Sequence, residues 1–202
     1  MKKLISRGAF VAFTTVLLAY APVSPVQATE TPAALSETTS LKPGEFVWKP
    51  ELAPEGAVEI VVSIPLQQAY VYRGGTLIGV TTVSTGKPGH STPTGRFDIL
   101  QKRKEHYSKK YNNAPMPFMQ RLTWDGIALH AGHLPGRPAS HGCIRLPMAM
   151  ARNLFAVTSL GASVHIVKDS PAPHEALAMV RGEGNAYQGM GGPLEELPAG
   201  TD

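Results

Sequence analysis

Cys143 is the single cysteine in a chain of 202 residues, and it stands in the run Ser140-His141-Gly142-Cys143-Ile144-Arg145. A thiol attacks a carbonyl as the thiolate, so a catalytic cysteine calls for a nearby base and for positive potential that lowers its free pKa of about 8.5. His130, 13 positions upstream, is a candidate base, because the intervening segment is long enough to double back and bring imidazole and thiol together. Gly142 lets the backbone approach a substrate closely, and the N–H groups of Gly142 and Cys143 are natural donors to a tetrahedral oxyanion. Arg145 either clamps a substrate carboxylate with its planar fork or braces its own loop through backbone carbonyls. Ser140 is expected to bond the loop's backbone and His141 to hold the loop by hydrogen bonds. The chemistry open to this set is acyl transfer through a thioester.

A metal site is the competing use of the same residues, since His130, His133, His141 and Cys143 are all zinc-ligand types. The spacing lacks a Cys-x2-Cys knuckle, and no acidic residue lies within the motif to work with a metal-bound water. No metal and no other cofactor is therefore expected. A buried, inert cysteine is the bland alternative for Cys143 itself.

The compartment bears on this. Lys2, Lys3 and Arg7 precede an apolar run from Gly8 to Ala21, and Val26-Gln27-Ala28 supplies small residues at a cleavage point. Residues 1–28 read as a secretory signal peptide, and the run is shorter than the roughly 20 apolar residues that span a bilayer. The chain is thus expected to be exported to the periplasm or cell wall, with no stable membrane insertion after cleavage. Exported proteins pair their cysteines or avoid them, so a lone thiol implies a purpose. The formal charge of +4 falls close to zero or one once Lys2, Lys3 and Arg7 are removed, which gives no support to nucleic-acid binding. Lys102, Arg103, Lys104, Lys109 and Lys110 cluster, as a solvated hairpin edge or a patch that attracts an acidic polymer.

The elements that must position these residues are short strands. Residues 29–56 are rich in Thr, Ser, Pro, Ala and Glu and read as a flexible linker. Residues 57–169 form one domain. Strands are predicted over 58–64, 68–72 and 76–84, the last two joined by Arg73-Gly74-Gly75, then over 96–101. Two more, 116–123 and 127–131, flank Trp124-Asp125-Gly126, a strong hairpin signal, so that His130 ends a strand. A helix follows Pro147, with Leu146, Met150, Leu154 and Val157 at helical spacing, and its positive end is expected to help the thiolate. A last strand covers 163–167. Residues 170–202 read as a mostly disordered tail, with a short helical stretch at 174–180. The fold class is mainly β with one or two helices.

Ser140-His141-Gly142-Cys143-Ile144-Arg145-Leu146, preceded by His130, resembles the signature of the L,D-transpeptidase family, also called the YkuD domain. Thr92-Pro93-Thr94-Gly95-Arg96-Phe97 looks like that family's Thr-Pro-x-Gly-x-Phe turn, and Ile127-Ala128-Leu129-His130 like its strand to the catalytic histidine. The resemblance covers about residues 58–167. It implies a β-sandwich or barrel-like catalytic domain and peptidoglycan stem peptides as substrate. The cysteine would attack the carbonyl of the third residue of a tetrapeptide stem, expel D-alanine and pass the acyl group to an amine of another stem or of a wall-anchored lipoprotein. Carried over, Cys143 is the nucleophile, His130 the general acid/base, and Gly142 with Cys143 the oxyanion donors. This sequence departs from the family at Ala131, where a glycine is frequent, and at Met148, where many members have asparagine. A peptidoglycan hydrolase that passes the same thioester to water, and a non-catalytic wall-binding module, are the alternatives.

Overall fold

The run Val-Glu-Ile-Val-Val-Ser at 58–63 sets Val58, Ile60 and Val62 on one face and Val61 between Glu59 and Ser63 on the other. In the structure, a computed structural model that describes residues 41–183, this strand lies inside a six-stranded sheet with a different core on each side. The predicted signal peptide, the linker as far as residue 40 and the tail beyond residue 183 lie outside the described residues.

The strands in chain order are β1 (Phe46–Trp48), β2 (Val58–Ser63), β3 (Gln68–Arg73), β4 (Thr76–Thr82), β5 (Gly95–Asp98), β6 (Gln101–Arg103), β7 (Tyr107–Ser108), β8 (Ala114–Pro115), β9 (Met119–Arg121), β10 (Ala128–Ala131), β11 (Ile144–Leu146) and β12 (Ser163–Val167). Helix α1 covers Met148–Val157 and α2 covers Ala176–Arg181. The large sheet runs β1-β4-β3-β2-β12-β5, a second sheet runs β11-β10-β9-β6, and β7 pairs with β8 alone. The main core lies where the two larger sheets and α1 meet, around Ile60, Val62, Val71, Ile78, Leu129, Ile144, Met150 and Leu154. The mainly β sandwich-like class read from the sequence is the fold observed.

Several boundaries differ from the sequence reading. The predicted linker is structured at its end, since Phe46–Trp48 pairs antiparallel with β4 and both Phe46 and Trp48 pack on the main core. Three residues are too few to show a period, so the strand was hidden within a Pro- and Glu-rich stretch. The predicted strand 96–101 is two, β5 and β6, one in each sheet; Ile99 and Leu100 between them carry the chain across. The predicted strand 116–123 shortens to β9, because Pro117 has no N–H to donate and Phe118 takes φ +54°.

The segment after Asp169 also packs. On the outer face of the large sheet, Val61, Tyr70, Tyr72, Leu77 and Val80 meet Ala176 and Leu177 of α2. The Tyr70 hydroxyl donates to the Pro171 carbonyl at 3.1 Å and the Tyr72 hydroxyl to that of Pro173. The helix read at 174–180 is therefore part of the domain up to Arg181, rather than of a loose tail.

Lys102 also departs from its expected place on a solvated edge. Its ammonium donates to the Phe155 and Thr158 carbonyls at 2.8 and 2.5 Å, closing the C-terminal end of α1. Among the described residues no helix is long and apolar enough to cross a membrane.

Candidate active site

Strands β10 and β11 run parallel, with Leu129 opposite Ile144, His130 opposite Arg145 and Ala131 opposite Leu146. Extending that register by one residue sets Cys143 beside Ala128, and side chains two apart on a strand share a face. Ala128, His130, Cys143 and Arg145 therefore lie on one face of the small sheet. Cys143 and His130 are diagonal neighbours whose Cα atoms are separated by about 8 Å on standard strand spacings, and both line one cavity of about 490 Å³. The His-to-Cys spacing is the length of loop needed to return a chain to the start of a parallel strand.

The loop that delivers Cys143 is pinned to the segment after β4. Ser84 and Arg145 exchange backbone hydrogen bonds, both at 3.0 Å, and Ser84 Oγ donates to the Arg137 carbonyl at 2.8 Å. The Thr85 carbonyl accepts from the N–H groups of Ala139 and Ser140, and Lys87 N–H donates to the Ser140 carbonyl. Gln67 fastens that segment in turn, its amide bonding Thr85 Oγ1 at 2.7 Å and Thr85 N–H at 3.0 Å.

Thr92, buried in the Thr-Pro-Thr-Gly loop, joins the two sides. Its hydroxyl accepts from Gly86 N–H and donates to the Gly142 carbonyl, each at 2.8 Å. Gly86 has to be glycine here, because a Cβ would come within 1.9 Å of the His90 carbonyl oxygen. Sequence reasoning used Thr92 only as part of a motif; its place between two loops 50 residues apart is a tertiary fact.

Ser140 holds the turn that carries Cys143. Its hydroxyl donates to the Cys143 carbonyl at 2.5 Å and accepts from Gly142 N–H at 3.0 Å. Gly142 adopts φ +115°, a conformation that favours glycine, while the Ile127 Cδ1 that a Cβ would meet at 2.8 Å is a side-chain end able to move aside. The bond to Ser140 alters the expected oxyanion hole. The Gly142 N–H is already engaged, whereas the Cys143 N–H has no partner among the described residues and is the donor left for an oxyanion.

His130 is buried, and its Nδ1 lies 2.8 Å from the Ala131 carbonyl oxygen. A carbonyl only accepts, so Nδ1 carries the proton and Nε2 is left as the acceptor. Burial is the main cause that pushes His130 down to about 4; the Ala131 carbonyl opposes this, and the Arg145 charge adds to it. The Cys143 thiol is pushed up, also by burial, against the lowering effect of a hydrogen bond from the Ala128 backbone and the charges of Arg145 and Arg121. Its Sγ–H points at the Gly126 carbonyl, 3.4 Å away.

Burial thus disfavours charge on both groups, whereas the sequence reading looked for positive potential that lowers the thiol's pKa. The α1 dipole does not reverse this. The helix begins only after all of β11, about 10 Å of strand from Cys143, whereas the dipole's effect fades within the first turn.

Arg145 makes no side-chain hydrogen bond among the described residues, so it does not brace its loop by hydrogen bonds; its aliphatic stem lies over Gly132 and the residue lines the cavity. His141 is exposed, stacked on Tyr111 at a centroid distance of 4.7 Å and edge-on to His90 at 4.7 Å. It holds the β7–β8 hairpin over the cleft by ring contact, where hydrogen bonding was expected. His133 lines the same cavity as His130. Among the described residues, no three His, Cys, Asp or Glu side chains are grouped to hold a metal ion.

This geometry has known counterparts. The family model for the L,D-transpeptidase catalytic domain, YkuD, matches residues 57–166. Similar solved structures include an L,D-transpeptidase from Stackebrandtia nassauensis, with 27% identity, a TM-score of 0.52 and coverage of 57% of this chain and 58% of that one. A second is an L,D-transpeptidase in complex with imipenem, with 25% identity, a TM-score of 0.52 and coverage of 55% and 59%. A third, an L,D-transpeptidase from Mycobacterium tuberculosis H37Rv, shares 24% identity and the fold, with a TM-score of 0.53 and coverage of 55% and 57%. The chain thus spans less than two thirds of each of these proteins. No curated protein sequence matches it. With the family model covering more than half of its length and Cys143 set just before the strand that pairs with that of His130, the chain belongs to the L,D-transpeptidase catalytic domain (YkuD) family.

Proposed function

We propose that this protein is an exported L,D-transpeptidase that cleaves a peptidoglycan tetrapeptide stem at its third residue and transfers the acyl group to an amine. The observation that carries the reading is the tautomer of His130. With Nδ1–H donating to the Ala131 carbonyl, Nε2 is an acceptor in the cavity that holds the Cys143 thiol.

The cycle follows from a neutral pair. As Sγ attacks the carbonyl carbon of the third stem residue, its proton passes to His130 Nε2 and the oxygen becomes an oxyanion facing the Cys143 N–H. The C–N bond to D-alanine breaks, Nε2 returns the proton to the departing amine, and a thioester remains. The Arg145 fork on the same sheet face suits the carboxylate of the departing residue. An incoming amine then attacks the thioester, loses a proton to Nε2, and the thiolate regains it. Transfer of the proton within the attack avoids a solvated ion pair in a site whose burial disfavours charge on both partners.

The sequence pattern of residues 1–28 supports action outside the cytoplasm, in the periplasm or cell wall, after removal of that segment. The acceptor is proposed to be the side-chain amine of a second stem or a lysine of a wall-anchored lipoprotein.

Incubation of the purified protein with disaccharide-tetrapeptide, followed by mass analysis, tests the proposal. Cross-linked dimers are expected. Tripeptide without dimers would identify a hydrolase, and absence of any product a binding module. Cys143→Ala with full activity would overturn the mechanism.

A further inference from the structure

Trp124 is 73% exposed at the tip of the turn between β9 and β10. A single exposed apolar residue is ordinary, but this one stands on the rim of a second cavity of about 480 Å³ that adjoins the catalytic one. Arg103, His106, Lys109, Lys110 and Arg121 also line it, with Asp125 as the one carboxylate. These cations are felt inside, since His106 is held below its ordinary pKa first by burial and then by Arg121, Arg103 and Lys109. The Arg121 guanidinium lies 5.9 Å from the Trp124 ring centroid and steadies the indole. Tyr111, Gly126 and His141 border both cavities, and the Gly126 carbonyl is the group that faces Cys143 Sγ.

The position of the base sets the direction of the substrate. His130 and Arg145 line the catalytic cavity and not the cationic one. The base must reach the departing amine, so the leaving residue lies on their side of Sγ. The retained acyl portion then runs the other way, past Gly126. Two stem residues precede the one attacked, an extended length of about 7 Å. Trp124 shares the Thr123–Gly126 turn with Gly126, and both line the cationic cavity.

We propose that Trp124 is a stacking platform for the N-acetylated amino sugar that carries the stem, and that Arg103, Lys109, Lys110 and Arg121 attract whatever free carboxylate the retained part of the stem carries. The C–H face of a pyranose carries partial positive charge and fits the negative face of an indole. Cations at the cavity wall complement an acidic peptide, and arginine does so by bidentate pairing. This inference rests on the proposed transpeptidation.

Two substrates separate the two. The wild-type protein is assayed with disaccharide-tetrapeptide and with the sugar-free tetrapeptide, and kcat/KM is expected to be about tenfold higher with the sugar present, chiefly through KM. Trp124→Ala is expected to bring the ratio close to one, and Trp124→Tyr to restore most of it. A wild-type ratio of one, or an unchanged ratio in Trp124→Ala, overturns the platform while leaving the reaction in place. Because each ratio is measured on one preparation, partial misfolding does not alter it.

If neither substrate turns over, the reaction fails and binding decides the platform. Indole fluorescence of Cys143→Ala is then titrated with disaccharide-tetrapeptide. Trp48, packed on the main core, supplies a constant background. A change that disappears in Cys143→Ala/Trp124→Tyr supports the platform, and no change overturns it.

Discussion

His130 illustrates how one side chain can set both reactivity and stability. Its low pKa, about 4, means that the imidazole proposed as the base is neutral across the whole neutral and mildly acidic range. The acid limb of kcat/KM is therefore expected to lie near 4 and well below the ordinary histidine value of about 6.5, read from initial rates between pH 3 and 8. The raised Cys143 pKa predicts a complementary result. Alkylation by iodoacetamide should keep rising with pH beyond the ordinary thiol range, without the plateau near neutrality of a preformed thiolate.

The same burial links folding to pH. Between about 6.5 and 4 the unfolded chain binds a proton at residue 130 that the native state does not, so stability falls as pH falls through this window. The loss is on the order of 3 kcal/mol by pH 4. It is checked by urea denaturation across the window, where His130→Gln should show a shallower slope.

At the scale of elements, the active face exists because three segments distant in sequence are tied together by a few hydroxyls. Thr92 links Gly86 to Gly142 from a buried position, so Thr92→Val keeps the shape but leaves an N–H and a carbonyl unpaired. A destabilisation of about 1–3 kcal/mol is expected. Transfer activity should fall further than the folded fraction, since the freed Gly142 carbonyl belongs to the turn that carries Cys143.

Ser140→Ala acts on the same turn from the other side, releasing the Gly142 N–H and the Cys143 carbonyl. It is expected to lower kcat by about tenfold or more with little change in KM, measured on the disaccharide-tetrapeptide, because it disturbs the carbonyl–thiol geometry more than the substrate cavities. The parallel pairing of β10 and β11 explains why these bonds matter. The three-residue ladder of β10 and β11 is short, and the pins on the loop that joins them add to its hold on register.

Across the whole molecule, the central strands β2, β3 and β4 of the large sheet are buried on both faces, by the main core on one side and by α2 on the other. The second cover is made by residues that follow Asp169. Leu177→Ala is expected to destabilise the domain by about 2–3 kcal/mol, read as a lower denaturation midpoint, because Leu177 is buried against Tyr70, Tyr72 and Val80. Truncation after Asp169 should do more, removing the carbonyl partners of two buried tyrosine hydroxyls along with the helix. The catalytic cavity lies on the far side, so activity per folded molecule should persist.

What the sequence by itself determined was local or carried by a motif. The β12 strand, the helix after Pro147 and the turn at Trp124-Asp125-Gly126 were legible because period and turn chemistry are written in neighbouring residues. Cys143, His130 and Arg145 were singled out by the lone thiol and by the run Ser140-His141-Gly142-Cys143-Ile144-Arg145. The tertiary structure alone decided which groups were already engaged. The loss of the Gly142 N–H to Ser140, the lack of side-chain hydrogen bonds at Arg145 among the described residues and the bias against charge on Cys143 and His130 depend on burial and on partners remote in the chain. So did the strand at Phe46–Trp48 and the docking of α2, which are too short to declare themselves and are held by the sheet they cover. Desolvation and hydrogen-bond competition are properties of a surrounding, and the surrounding of Cys143 is assembled from segments across the domain.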